Sequence, residues 1–101
     1  MATPAPSDPD LARALRLLAR ASHGRAAVTL RALPRVLPAS HLVTGDELLL
    51  RVPAARAADA RALDGSVVAY EANGTEVIGT VTVTDPNAEP ISLRLTPRLA
   101  P

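Results

Sequence analysis

Short extended runs separated by turn residues are the feature of this 101-residue chain that most constrains its fold. Six runs combine β-branched residues with alternating or continuous apolar residues, and they span residues 25–33, 36–43, 47–52, 66–72, 75–84 and 91–96. Thr44-Gly45-Asp46 and Asn73-Gly74 favour tight hairpins between neighbouring runs. Pro34 and Pro38 each remove a backbone donor, so we expect the second run at a sheet edge or at a bulge.

Two segments have helical patterns instead. After Ser7, a residue type that caps helices well, apolar residues recur at helical spacing as Leu11, Ala14, Leu15 and Leu18. With Gly24 as the stop, this predicts a helix of about four turns. Residues 54–63 are rich in Ala and Arg and follow Pro53, which predicts a second, shorter helix.

The composition predicts a single small domain with a thin core. Residues 1–7 are rich in Pro and Ala and are expected to form a disordered tail, followed by one domain of residues 8–101. Tyr70 is the only aromatic residue, so the core has to be built from small aliphatic side chains, and help from a second copy is expected. No signal peptide or membrane-length apolar run is visible, so we expect a cytoplasmic protein without a membrane partner.

The order of these segments, together with several local motifs, resembles a known family. The motifs are Gly24-Arg25 opening the first strand, LPRVLP at residues 33–38, Thr44-Gly45-Asp46, Arg51 closing the third strand, and VVAYE at residues 67–71. Across residues 10–98 the chain resembles the pyridoxamine 5′-phosphate oxidase-like family of FMN-binding split barrels. The resemblance implies a mainly β fold with two short helices, in which six antiparallel strands form a Greek-key-like split β-barrel.

The resemblance also implies a homodimer that holds FMN in the cleft between its subunits. The phosphate would be held by Arg51 and by the start of the following helix, where Arg56 replaces the family's lysine. Pro38, Ser40 and His41 would line the cleft from the second strand. Val52 follows Arg51 directly at the same corner of the cleft.

Two functions follow from these expectations. The first is a flavin-dependent oxidoreductase that acts on a small molecule. Val52 stands where the family usually has Thr or Ser, and the loop of residues 53–55 lacks hydroxyl groups. The second function is therefore that of a ligand-binding or interaction module, performed by a split-barrel homodimer that has lost its flavin. A haem or a deazaflavin in place of FMN is a third, weaker alternative.

The remaining polar residues have both functional and ordinary interpretations. His41 is either a hydrogen-bonding or acid–base group beside a flavin, a haem ligand, or an ordinary strand histidine. Arg13, Arg16 and Arg20 form a basic stripe that is more typical of a solvated helix face than of a nucleic-acid interface. Two histidines and no cysteine are a poor metal signature, so neither metal nor nucleic acid is expected.

Overall fold

The computed structural model describes residues 9–98, which fold into six strands and two short helices. In chain order the elements are α1 (Pro9–Leu18), β1 (His23–Leu30), β2 (Leu33–Thr44), β3 (Glu47–Val52), a 3₁₀ turn (Ala57–Asp59), α2 (Ala60–Leu63), β4 (Val67–Ala72), β5 (Thr75–Val83) and β6 (Ile91–Pro97). The expected tail of residues 1–7, including Ser7 as a helix cap, lies outside the described residues.

The strands close into a barrel in the order β1-β2-β3-β6-β5-β4, with β4 returning to β1. Every strand pair is antiparallel, and this confirms the mainly β barrel predicted from the sequence. Side chains alternate between the interior and the exterior, as the period of a strand requires. The largest fully buried side chains are Tyr70, Leu18, Leu48, Leu50, Leu63, Ile91 and Leu93 among others, so aliphatic residues dominate the core as expected.

Helix α1 is shorter than predicted, and Gly24 is not its stop. The helix ends at Leu18, and the amides of Arg20 and Ala21 then bond to carbonyls only three residues back. Gly24 lies in β1, where a Cβ atom would stand 2.7 Å from the Tyr70 hydroxyl and 2.9 Å from the Ala72 Cβ, with the Glu71 carbonyl closer still. Glycine is therefore needed there for a close approach of β1 to β4.

The β1–β2 hairpin turns earlier than the sequence indicates. The first strand was expected to continue to Leu33, but Leu30 and Leu33 pair across a two-residue turn. Its two central residues, Arg31 and Ala32, have φ angles of 53° and 64°. These left-handed conformations are typical of Gly and Asn, and they cost of order 1 kcal/mol in other residues, so the turn could not be recognised from its residue types.

Pro34 and Pro38 of β2 lie at a local sheet edge, which is one of the two locations, an edge or a bulge, that the sequence predicts. Residues 33–40 pair with β1, whereas only residues 40–44 pair with β3. The His41 N–H donates to the Ser22 carbonyl on the β1 side. Because the backbone nitrogens of successive strand residues point to opposite sides, those of Pro34 and Pro38 face away from β1. Among residues 9–98 no strand pairs with residues 33–39 on that side, and the missing N–H groups therefore break no ladder. This unpaired stretch of β2 is referred to below as the split.

The second helix is also shorter than predicted. Of the predicted residues 54–63, only residues 57–63 are helical, as the 3₁₀ turn and the four-residue α2, while Arg56 remains extended with φ −102° and ψ 166°. The asparagine–glycine hairpin between β4 and β5 is confirmed, with φ angles of 52° at Asn73 and 82° at Gly74.

Candidate functional site

Three polar residues lie side by side on the outer surface of the barrel. Strand register places Arg51 of β3 opposite Ser40 of β2 on one side and opposite Ser92 of β6 on the other. Directly opposed residues of antiparallel strands have Cβ atoms roughly 5 Å apart, which is within reach of a shared ligand group. The Arg51 guanidinium is exposed, and no ion pair to it is found among residues 9–98. The two serines thus flank an available cation.

The next row on this surface is apolar. Leu49 of β3 is opposite Leu42 of β2, which is 61% exposed, and opposite Arg94 of β6. Arg94 is held by Glu47, with 3.8 Å between Nε and Oε1. Both rows line a depression of about 570 Å³, called the outer groove below. The outer groove therefore offers leucine side chains for a flat apolar group and an arginine with two hydroxyls for polar atoms.

A second depression, of about 370 Å³, contains three arginines. Arg31 of the hairpin turn, Arg35 of β2 and Arg56 before the 3₁₀ turn line it, and they are called the arginine pocket below. Asp59 is the only carboxylate lining it, and its Oδ2 accepts the backbone N–H of Arg56 at 3.0 Å. Within the described part of the chain none of the three guanidinium groups forms a salt bridge. Their charge is therefore available to an anion.

The outer groove and the arginine pocket are lined by residues of the same two chain segments, β2 and the segment that includes the end of β3. On one side β2 runs from Ser40 in the groove to Arg35 in the pocket, five residues or roughly 16 Å of extended chain. On the other side the chain runs from Arg51 in the groove to Ala54 in the pocket. An elongated ligand with an apolar end and an anionic end would match this arrangement.

The structure separates the residues predicted to bind a cofactor. Ser40 and Arg51 meet in the outer groove, and Arg56 lies in the arginine pocket. Pro38 is exposed, opposite Arg25 of β1. The Val52 side chain is fully buried in the core, which leaves only its backbone for any ligand. Cofactor binding by these residues stays a prediction.

The helix start was expected to offer free N–H groups to a phosphate, and the local geometry limits this. The Arg56 N–H is bonded to Asp59, and the helical turn that follows is three residues of 3₁₀ structure. A strong anion site at a helix N-terminus needs free donors and a helix dipole. At this corner the arginine side chains are therefore the main donors.

His41 points into the barrel and not into the groove. Its ring is 8% exposed, and both ring nitrogens have partners. Nε2 lies 2.7 Å from the Leu18 carbonyl, and Nδ1 bonds with the Tyr70 hydroxyl. The ring meets Tyr70 edge-on at 71°. Because both ring nitrogens are already bonded, a flavin contact or a haem bond from the His41 ring finds no free nitrogen.

Burial controls the ionisation of Tyr70. Loss of hydration in the core, with a smaller contribution from the negative charge of Glu71, raises the pKa of Tyr70 to about 12. The phenol therefore stays protonated and can donate a hydrogen bond to His41 Nδ1. This gives the buried tyrosine hydroxyl the partner that it needs.

Sequence reasoning missed three residues of this surface. Ser92 and Leu49 are found only through strand register, because the chain order of β3 and β6 does not reveal that they pair. Arg35 lies two residues before the inward Leu37, on the same face of β2, and is exposed in the arginine pocket together with Arg56. Arg13 and Arg16 of α1 and Arg20 just after it are exposed around Leu17, and they line neither depression.

These features define a split-barrel protein with a groove on its outer surface. A family model described as pyridoxamine 5′-phosphate oxidase matches residues 10–89, and the chain belongs to the pyridoxamine 5′-phosphate oxidase-like family. This confirms the resemblance predicted from the sequence, and the family generally binds flavin. Searches of curated proteins and of solved structures returned no match. Within residues 9–98 no helix is both long and apolar enough to cross a membrane.

Proposed function

We propose that this chain binds FMN along the split and serves as a flavin-dependent oxidoreductase on a small molecule. The observation that carries the proposal is the placement of the outer groove and the arginine pocket five residues apart along β2, at Ser40 and Arg35. The outer groove offers leucine side chains and hydrogen-bonding groups, and the arginine pocket offers three arginines that form no salt bridge within residues 9–98. FMN has the matching polarity, with a planar ring system at one end and a phosphate at the other.

The arginine pocket suits the phosphate. A phosphate accepts paired N–H donors from a guanidinium, and such charge-assisted bonds are stronger than neutral ones. Arg35 and Arg56 come from two elements on opposite sides of the pocket, and Arg31 is added by the strained hairpin turn. Three cations gathered around one carboxylate repel each other, so a bound dianion would relieve that repulsion.

The outer groove suits the ring system. Leu42 and Leu49 provide apolar contact, while Arg51, Ser40 and Ser92 provide donors for carbonyl or hydroxyl oxygens. The two serines supply hydroxyl groups on the strands, in place of those that the loop of residues 53–55 lacks. The donor set therefore fits the flavin, although it is distributed differently from the expectation that Arg51 holds the phosphate.

When bound, the flavin supplies hydride or electron transfer, and the protein supplies position and surroundings. Arg51 and the flanking serines would orient the ring, and the guanidinium would stabilise negative charge on it. The substrate class is not specified by these residues.

A homodimer is part of the proposal. Leu42 and Val36 of β2 are 61% and 64% exposed, which is unusual for large apolar residues of a small domain. A second copy over this surface would cover them and close the outer groove against water. Light scattering at micromolar concentration should give twice the chain mass; a monomer would count against this part of the proposal.

Titration with FMN and with riboflavin tests the proposal, because the two ligands differ by the phosphate. The wild-type protein should quench FMN fluorescence and bind riboflavin more weakly. Arg51→Ala should weaken both ligands at least tenfold, which corresponds to the loss of a charged hydrogen bond of about 1.5–3 kcal/mol. Arg35→Ala with Arg56→Ala should remove the preference for FMN. Arg61→Ala, an exposed arginine on α2, is the matched control and should change neither affinity.

A flavin-free ligand-binding or interaction module is the second candidate. The observations that favour it are the buried Val52 and the Arg56 N–H that is already bonded to Asp59. This candidate predicts a colourless protein whose fluorescence titrations with FMN and riboflavin are both flat.

A further inference from the structure

A buried histidine connects the helix to the strand that forms the outer groove. Within residues 9–98, His41 and its partner Tyr70 are the buried residues whose side chains carry a polar group. The Leu18 carbonyl can only accept a hydrogen bond, so His41 Nε2 carries a proton in its 2.7 Å bond to it. In the neutral ring Nδ1 is then the unprotonated nitrogen, and it accepts the Tyr70 O–H. One tautomer satisfies both partners.

The partners of His41 come from different parts of the chain. Leu18 is the last residue of α1, and Tyr70 belongs to β4. The backbone N–H of His41 also donates to the Ser22 carbonyl, 2.9 Å away, just before β1 begins. Through these three bonds, one residue of β2 is linked to the end of α1, to the segment between α1 and β1, and to the interior side of β4.

This residue stands between two side chains of the outer groove. Successive side chains of a strand point to opposite faces, so an inward His41 ring requires Ser40 and Leu42 to point outward. Both line the outer groove, opposite Arg51 and Leu49 respectively. A ring that is free to leave its partners would allow this part of β2 to twist or slip, and the row Ser40–Arg51–Ser92 would lose its alignment.

We propose that His41 is a positioning residue of the outer groove: its ring, bonded to Leu18 and Tyr70, holds Ser40 and Leu42 toward the ligand and couples the docking of α1 to ligand binding. The ring itself touches no ligand. The proposal deepens the FMN-binding function and rests on it for the identity of the ligand, whereas the strand-positioning step is independent of any flavin.

The tautomer is tested first by long-range ¹H–¹⁵N spectra of the ¹⁵N-labelled wild-type protein at pH 8. The chain has two histidines, and the exposed His23→Gln variant assigns the signals of His41. The expected pattern is a protonated Nε2 and an unprotonated Nδ1. A ring in rapid exchange between tautomers would overturn the proposal.

Positioning is tested by amide hydrogen exchange and by FMN affinity in three variants. His41→Leu removes both ring bonds at similar bulk, and His41→Gln keeps an N–H near the position of Nε2. Tyr70→Phe removes only the hydroxyl and serves if His41→Leu does not fold. His41→Leu should raise exchange at Leu42, which pairs with Leu49, more than tenfold relative to Val81 of β5, and should weaken FMN at least tenfold. His41→Gln should recover most of both changes, and Tyr70→Phe should give a smaller shift of the same sign.

The outcomes separate the two proposals. If wild-type protein binds no FMN but the exchange pattern is as expected, the proposed function fails and the positioning role of His41 stands. If FMN binds to wild-type protein and a folded His41→Leu variant shows unchanged exchange and affinity, the positioning role is wrong. Equal losses in His41→Leu and His41→Gln would also overturn it, because the bond to Leu18 would then have no effect. His23→Gln should match wild type in both assays.

Discussion

Replacing Gly24 with alanine tests how tightly β1 and β4 approach each other. The added methyl group would stand 2.7 Å from the Tyr70 hydroxyl and 2.9 Å from the Ala72 Cβ, and closer to the Glu71 carbonyl. These distances are well below van der Waals contact, and the neighbours are backbone or fully buried side chains that cannot rotate away. Overpacking of a core costs about 1–3 kcal/mol, and we expect the upper end of that range, about 3 kcal/mol.

Urea and thermal unfolding followed by circular dichroism measure this cost. At about 4–8 °C per kcal/mol for a domain of this size, Gly24→Ala should lower Tm by about 12–24 °C. Gly65→Ala is the control, because Gly65 has φ +81° and no atom within 4 Å of the added methyl group. It should cost only the strain of the left-handed conformation, about 1 kcal/mol. If the free energy of unfolding of Gly24→Ala is within about 0.5 kcal/mol of the wild-type value, the close approach of β1 and β4 is refuted.

Three further predictions concern ionisation, the surface and assembly. The raised pKa of Tyr70 means that the folded state keeps its proton while the unfolded state ionises, so stability should fall by about 2–3 kcal/mol between pH 10 and 12. The chain has no lysine or cysteine, so Tyr70→Phe should remove most of this loss in urea unfolding at each pH, and a loss that persists in it would contradict the assignment. The exposed Arg25–Glu71 pair at 3.3 Å should show a coupling below about 1 kcal/mol in a double-mutant cycle, and a larger value would mean that it is not a simple surface pair. Val36→Glu should shift the proposed dimer toward monomer in light scattering, whereas Glu76→Gln, at an exposed position of β5, should not; equal dissociation by both variants would argue against an interface at Val36.

The strands and most turns could be predicted because their signals are local. Inward and outward residues alternate along β1 and β6 as the sequence indicates, and Asn73-Gly74 forms the expected hairpin. The bounds of β3 agree with the expected residues 47–52. Such patterns depend on neighbouring residues only, so tertiary contacts did not need to be known.

The positions that the sequence did not predict are determined by contacts between distant parts of the chain. Gly24 looked like a helix stop because glycine often ends helices, but contact with Glu71 and Tyr70 on β4 determines its identity. The Arg31–Ala32 turn lacks the usual residues and is held by the pairing of the two strands around it. The ring partners of His41, Tyr70 and Leu18, likewise come from distant parts of the chain and could not be read from the neighbouring Ser40.

The positions of the candidate site residues follow the same division, while their role in binding stays a prediction. Arg51 and Arg56 were chosen from their positions relative to strand ends, and each lies in a depression that borders the split. Ser92 and Arg35 became visible only when strand pairing brought them beside these two arginines. The apparent loss of hydroxyl groups after Arg51 is thus offset by serines on neighbouring strands.

The most direct test of the account is the FMN titration of the wild-type protein, with riboflavin as the comparison. The account predicts saturable quenching of FMN fluorescence with a stoichiometry of one flavin per chain, and clearly weaker binding of riboflavin because the arginine pocket would then lack its anion. Absence of FMN binding at millimolar concentration by a folded protein would contradict the flavin function, and equal affinity for both ligands would contradict the role of the arginine pocket.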